Sequence, residues 1–257
     1  MPENKSVILA VAGKGGVGKT SIAAAMTRII CQTMPDARVL AVDADPAIGL
    51  ATALGVTVTS TLDDIRKSVV ASAESGRAKE AIELLNEARY RIFDTMVEGT
   101  QFSFLAIGRP EAAGCYCTVN AYLKEVIGML ADEFDYVIID GEAGIEQINR
   151  RVMERVTHLV LVSDQSKKGL SVIQTIKRVA DELTMYDQLA VIINRAIDPA
   201  LTPGLDLGGL NVSACIPADE THARNEIQGQ SIFDLPEDSP LIQGVRQALN
   251  SLGVLWD

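Results

Sequence analysis

The sequence predicts a three-layer α/β sandwich, with a mostly parallel central sheet of about seven to eight strands and helices on both faces. Three observations carry this. Short β-branched runs alternate with longer helical patterns along the 257 residues, as repeated strand–helix–strand units do. Several of the short runs are apolar without alternation, as strands covered on both faces require. A glycine-dense loop joins the first strand to the first helix.

The expected strands, in order, are Val7–Val11, Val39–Val42, Phe102–Ile107, Tyr136–Ile139, Leu159–Val162, Leu189–Ile193 and Val212–Ile216. Between them, helices are expected over Ser21–Cys31, Ala81–Val97, Val119–Glu133, Leu170–Leu183 and Leu241–Leu252. In the fourth helix Leu170, Ile173, Ile176, Ala180 and Leu183 recur on one face. The stretch Asp198–Gly209, with two prolines and three glycines, reads as a loop within one domain spanning 1–257. Asp63–Asp64 and the mixed-charge run Glu74–Arg91 read as solvated helix faces.

Hydrophobic residues make up 47% and charged residues 22%, a globular balance that excludes wholesale disorder. Aromatics are only 4%, so Val, Ile, Leu and Ala must build the core. The formal net charge of -11 disfavours nucleic acid or an anionic membrane as the main partner. No apolar run reaches the roughly 18 residues that span a bilayer. The four cysteines, Cys31, Cys115, Cys117 and Cys215, are too few and too scattered for a disulfide framework. A cytoplasmic protein is the expectation.

Gly13-Lys14-Gly15-Gly16-Val17-Gly18-Lys19-Thr20 satisfies G-x-x-x-x-G-K-[ST], the P-loop pattern. Its glycines let backbone N–H groups curl around phosphate oxygens, and the helix N-terminus adds its positive dipole end. Lys19 can then reach the β- and γ-phosphates, and the Thr20 hydroxyl can hold Mg²⁺. Gly13, Gly15 and Gly18 also satisfy the dinucleotide fingerprint G-x-G-x-x-G, with Asp43 available as the ribose acid. That alternative needs neither Lys19-Thr20 nor the second strand-end acid, Asp140. A P-loop that binds a nucleoside triphosphate with Mg²⁺ is therefore the reading.

Lys14 inside the glycine run resembles the deviant Walker A family of MinD, ParA, the nitrogenase iron protein and metallocentre-assembly ATPases. The resemblance implies that Lys14 reaches across a nucleotide-bridged homodimer to the partner's phosphates. Further motifs follow in order. Val42-Asp43-Ala44-Asp45-Pro46 is similar to the first switch, which gives Asp45 the attacking water and places Asp43 near the metal. Tyr136 to Asp140, followed by Gly141-Glu142-Ala143-Gly144, is similar to the Walker B strand and second switch, so Asp140 would hold a Mg²⁺-bound water. Ile193-Asn194-Arg195 and Ile216-Pro217-Ala218-Asp219 resemble the adenine-contacting segments. The implied nucleotide set therefore runs from Gly13 through Thr20 to Ser21, with Asn194, Arg195, Pro217 and Asp219 added. Catalysis falls to Asp45, Lys14 and Lys19.

Gly114-Cys115-Tyr116-Cys117 precedes the expected helix Val119–Glu133. Two thiols one residue apart close too short a ring for an easy disulfide. They are either small residues in a packed turn or a thiolate pair aimed at one point. Two chains related by a two-fold axis would complete a four-sulfur, Zn²⁺-like tetrahedral site. Cys31 and Cys215 read as core residues, and His158 and His222 as non-ligands. The run from Arg109 to Cys117 resembles the CooC-type maturation ATPases of nickel-containing CO dehydrogenase, as does Asp140 to Glu146. That resemblance implies Ni²⁺ or Zn²⁺ held by Cys115 and Cys117 at a dimer interface. It also implies delivery to CO dehydrogenase or a related enzyme such as acetyl-CoA synthase. The alternatives are a positioning switch of the MinD/ParA kind and an iron–sulfur carrier using the same cysteine pair. The C-terminus from Asn250 has no basic amphipathic face for a membrane.

Overall fold

The computed structural model describes residues 6–45, 47–75, 87–108, 124–125, 127–141, 155–183 and 185–255. Cys115, Cys117, Pro46 and residues 142–146 of the second switch lie outside them.

The described strands are β1 (Val7–Gly13), β2 (Val39–Asp43), β3 (Val97–Glu98), β4 (Ser103–Ala106), β5 (Tyr136–Asp140), β6 (His158–Ser163), β7 (Gln188–Ala196) and β8 (Ala214–Pro217). They form one eight-stranded sheet in the order β3-β4-β2-β5-β1-β6-β7-β8, parallel throughout except for the β3–β4 pair. β1, β2, β5 and β6 are buried along most or all of their length, which explains why their sequences carry no polar alternation.

The helices are α1 (Lys19–Thr33), α2 (Gly49–Leu54), α3 (Leu62–Glu74), α4 (Ala88–Thr95), α5 (Lys167–Glu182), α6 (Glu220–Ile227) and α7 (Pro240–Ser251). Residues 127–131 are also helical. Two apolar clusters line the two faces of the sheet. One joins α1 residues such as Ile22, Met26 and Ile29 to Leu241, Val245 and Leu249 of α7. The other joins Ile65 of α3 and Ile173 of α5 to Leu40, Ile139 and Leu161 of the sheet. Alternate residues of each strand feed opposite clusters, as the strand period of two dictates. Aliphatic residues dominate both clusters, with Phe104 the largest fully buried side chain.

Several expectations need correction. The helix expected over Ala81–Val97 ends at Thr95, and Val97 begins the short antiparallel edge strand β3. Leu170, Ile173, Ile176 and Ala180 are buried on α5 as their spacing predicts, but Leu183 is the C-cap and is exposed. Asp63 is not on a solvated face. It is buried and paired with Arg66 at 2.6 Å and Lys67 at 3.2 Å, which satisfies a charge that would otherwise oppose burial. Helices α2 and α6 and the strand β3 carry little periodic signal because they are short, and the sequence does not announce them. No helix among the described residues is long and apolar enough to cross a membrane.

Candidate functional site

β1 runs between β5 and β6, and its register sets the site. Val11 pairs with Asp140 and Gly13 with Val162, so the glycine loop leaves the sheet at the carboxyl ends of three neighbouring strands. Ligands of open parallel sheets gather at such a place. Gly13 passes so close to β6 that a Cβ would run into the Val162 carbonyl oxygen. Gly18 is the N-cap of α1 in the left-handed conformation at φ 89°, and a Cβ there would lie 2.6 Å from Asn194 Nδ2.

Helix α1 starts without a side-chain cap and without an acidic residue in its first turn. Its first N–H groups therefore face the loop at the positive end of a 15-residue helix, which favours an anion there. Lys19 is buried, and its Nζ lies 3.5 Å from the Lys14 carbonyl oxygen inside the curl of the loop. That contact sits at the outer limit of a hydrogen bond, so the ammonium is poorly satisfied by protein alone.

Asp43 and Asp140 are register partners at the ends of β2 and β5. Asp43 is fully buried; its Oδ1 accepts the Asp45 N–H at 3.0 Å and its Oδ2 the Leu50 N–H at 2.8 Å. Burial, with the Asp140 carboxylate beside it, pushes Asp43 up to about 7 despite those two bonds. Asp140 is pushed up to about 6 by burial, with the nearby Thr20 hydroxyl and Lys19 ammonium pulling the other way. Both of its oxygens are buried, and among the described residues neither has a hydrogen-bond partner of normal geometry. Two adjacent carboxylates, one with open oxygens, beside a threonine hydroxyl form an oxygen set that suits Mg²⁺. A cation there would relieve the burial of charge that raises both pKa values.

Asp45 is half-buried, and its Oδ1 accepts the Ala47 N–H at 2.9 Å, an Asx turn. Ile48 follows at φ 52°, a left-handed conformation that costs a β-branched residue energy and marks this segment as held against its local preference. Lys14 does not point free into solvent. Its Nζ lies 3.2 Å from Asp164 Oδ2, immediately after β6.

Asn194 is buried at the end of β7, and its Nδ2 donates to the Val17 carbonyl at 2.8 Å. Arg195, at φ 53°, donates from Nη1 to the Gly16 carbonyl at 3.2 Å. Both residues brace the loop from below. Pro217 ends β8 and is exposed. Asp219 caps α6 by accepting the His222 N–H at 2.9 Å, and its other oxygen accepts from the Ser239 hydroxyl and the Leu241 N–H. Ser21 is buried in the first turn of α1, and its hydroxyl donates to Glu226 Oε1 of α6 at 3.2 Å.

The structure thus brings together the residues from Gly13 to Ser21 with Asp43, Asp45, Asp140, Asn194 and Arg195. Cys31 is buried in α1, where burial pushes its thiol up to about 11, and Cys215 lies in β8; both are free. No group of three or more His, Cys, Asp or Glu side chains that could hold a metal ion occurs among the described residues. Sequence reasoning missed Asp164 and Glu226. Asp164 has the same signal as Asp43 and Asp140, an acid at the end of an apolar strand. Glu226 has none, since it meets the start of α1 only through its tertiary hydrogen bond from Ser21.

The AAA domain model AAA_31 matches residues 5–191. The chain is 33% identical to an uncharacterized ATP-binding protein of Methanocaldococcus jannaschii over 94% of this chain and 96% of that one. It is 29% identical to the carbon monoxide dehydrogenase accessory protein CooC of Rhodospirillum rubrum, over 88% and 89%. The fold superimposes on the septum site-determining protein MinD of Pyrococcus horikoshii, solved with Mg-ADP, with a TM-score of 0.68 at 21% identity over 96% of each chain. Matched over well more than half its length, the chain belongs to the AAA_31 family of MinD/ParA-type P-loop ATPases, which bind and hydrolyse ATP.

Proposed function

We propose that this chain is an ATP-driven metallochaperone that acts as a homodimer. It binds Ni²⁺ or Zn²⁺ through Cys115 and Cys117 of two protomers and assists insertion of nickel into CO dehydrogenase or a closely related enzyme. Residues 1–257 act as one ATPase domain. Lys19 and the loop backbone hold the phosphates, and Thr20, Asp43 and Asp140 hold Mg²⁺. Asp45 orients the attacking water, Lys14 reaches the partner's nucleotide, and Asn194, Arg195, Pro217 and Asp219 surround the base.

The observation that carries this reading is the cysteine pair Cys115-Tyr116-Cys117 in a chain with a complete P-loop and strand-end acids. The likeness to CooC over nearly nine-tenths of both chains supports it. One chain supplies two soft ligands where a tetrahedral site takes four, so the stoichiometry is one ion per two chains. Titration of the dimer with NiCl₂ or ZnCl₂ under anaerobic conditions tests it. Half an equivalent per chain should bind, binding should weaken as protons compete for the thiolates, and Cys115→Ala/Cys117→Ala should lose it. One ion per chain, or full binding by the double variant, overturns the site, and an iron–sulfur chromophore would make the protein a cluster carrier instead.

Family membership also accommodates a positioning switch of the MinD/ParA kind. ATP-dependent sedimentation with anionic vesicles or DNA, undiminished in the double cysteine variant, would favour it.

A further inference from the structure

Helix α6 buries none of its residues, yet it delivers a carboxylate to the first turn of the phosphate-binding helix. Glu226 Oε1 accepts the buried Ser21 hydroxyl at 3.2 Å, across 205 residues of sequence. One turn back on α6, His222 Nε2 lies 3.5 Å from the same oxygen. That nitrogen is buried and has no hydrogen-bond partner among the described residues. His222 sits in the first turn of the helix, where its backbone N–H donates to the Asp219 cap. Glu226 is half-exposed, but its acceptor oxygen lies between a serine and a histidine that are both largely buried.

The first turn of α1 lacks both a capping side chain and an acid of its own. A helix N-terminus in that condition favours an external negative charge. Glu226 presents one there through its hydrogen bond from Ser21. A hydroxyl has a single proton to donate, so Ser21 cannot serve Glu226 and a phosphate oxygen at once.

We propose that Glu226, steadied by His222, is a positioning residue of the nucleotide site and a placeholder for its phosphate. It holds the Ser21 proton while the loop is empty and gives it up when a nucleotide arrives. The exchange releases a tie between α6 and α1, so the exposed helix α6 reports whether the loop is filled. The inference rests on Ser21 belonging to the nucleotide site.

Isothermal titration with Mg-ADP tests it, because a placeholder predicts a sign that a structural contact does not. Glu226→Ala removes the competing acceptor and its charge and should tighten Mg-ADP binding about threefold to tenfold. Glu226→Gln keeps an acceptor but not the charge and should tighten it less. In a Ser21→Ala background the Glu226→Ala gain should shrink at least by half, since the shared proton is gone. Unchanged or weakened binding in Glu226→Ala overturns the proposal, as does a full gain without Ser21. Hydrogen exchange gives a readout independent of affinity. Amides of α6 should exchange faster in wild type when Mg-ADP is added, and in Glu226→Ala they should be fast with or without it. Wild-type α6 exchange that ignores Mg-ADP sinks the coupling. Lys19→Ala separates the two layers of inference: if it binds Mg-ADP normally, the nucleotide site itself is misplaced, whereas its loss alongside an inert Glu226 rejects only the placeholder.

Discussion

Lys14 Nζ lies 3.2 Å from Asp164 Oδ2, so the extra lysine of the glycine loop is paired within its own chain. Asp164 is built to receive it. Burial pushes its carboxyl up, but the Ser166 hydroxyl and N–H, with the Lys14 ammonium, hold it below the usual carboxylate range. Gly169 of α5 leaves the room, since a Cβ there would collide with Asp164 Oδ1. A lysine that must reach a second protomer has first to leave this partner. Both side chains are about one-third exposed, so the pair contributes at most about 1 kcal/mol. Asp164→Asn should therefore lower the protein concentration needed for ATP-dependent dimerisation by about twofold to fivefold in sedimentation velocity. Lys14→Ala should abolish that dimerisation. An unshifted dimer in Asp164→Asn would mean the pair does not restrain Lys14.

Lys19 is the buried cation of the loop, and its hydrogen bond to the Lys14 carbonyl is long at 3.5 Å. Removing a charge-assisted phosphate ligand costs about 1.5 to 3 kcal/mol. Lys19→Ala should weaken ATP binding about 10- to 150-fold in a fluorescent-nucleotide titration, with the far-ultraviolet circular dichroism unchanged. Wild-type affinity would remove the loop from nucleotide binding.

Asp140 is buried at the end of β5, and burial penalises its charged form. Its pKa is raised from 3.8 to about 6, so the native state binds the proton more tightly than the unfolded chain. Stability is then lost as pH rises from about 4 through 6, and the full penalty, up to about 3 kcal/mol, applies above that. Asp140→Asn should raise the melting temperature of nucleotide-free, EDTA-treated protein at pH 8 and have little effect near pH 4. Added Mg²⁺ with ADP should stabilise wild type more than the variant. Equal gain from Mg²⁺ in both proteins would take Asp140 out of the cation site.

Asp45 precedes the site's strained segment, with its Oδ1 accepting the Ala47 N–H. A carboxylate that orients water acts mainly in the transition state. Asp45→Asn should keep ATP affinity within about threefold and lower kcat about 100-fold or more in a steady-state phosphate-release assay. Equal losses in affinity and rate would instead make Asp45 a ground-state ligand.

The sequence alone determined the layered α/β class and the order of its main elements. Runs such as Val39–Val42 and Tyr136–Ile139 are continuous and apolar, and only a strand covered on both faces accounts for that at such length. It also determined the loop from Gly13 to Thr20 and the strand-end acids Asp43 and Asp140, because phosphate and metal chemistry restrict residue type at fixed spacing. What lay beyond it depended on contacts between distant segments. The edge strand β3 exists because Val97 and Glu98 pair with β4, which outweighs the helical pattern that leads into them. Asp63 is buried because Arg66 and Lys67 close over it, which a pair of acids at Asp63–Asp64 does not announce. Asn194 bracing Val17, Asp164 holding Lys14 and Glu226 holding Ser21 link residues 150 to 205 positions apart. Such pairings leave no local periodicity, since sequence pattern records which face of an element is covered. Which side chain arrives from elsewhere to meet it is decided by how the helices pack on the sheet.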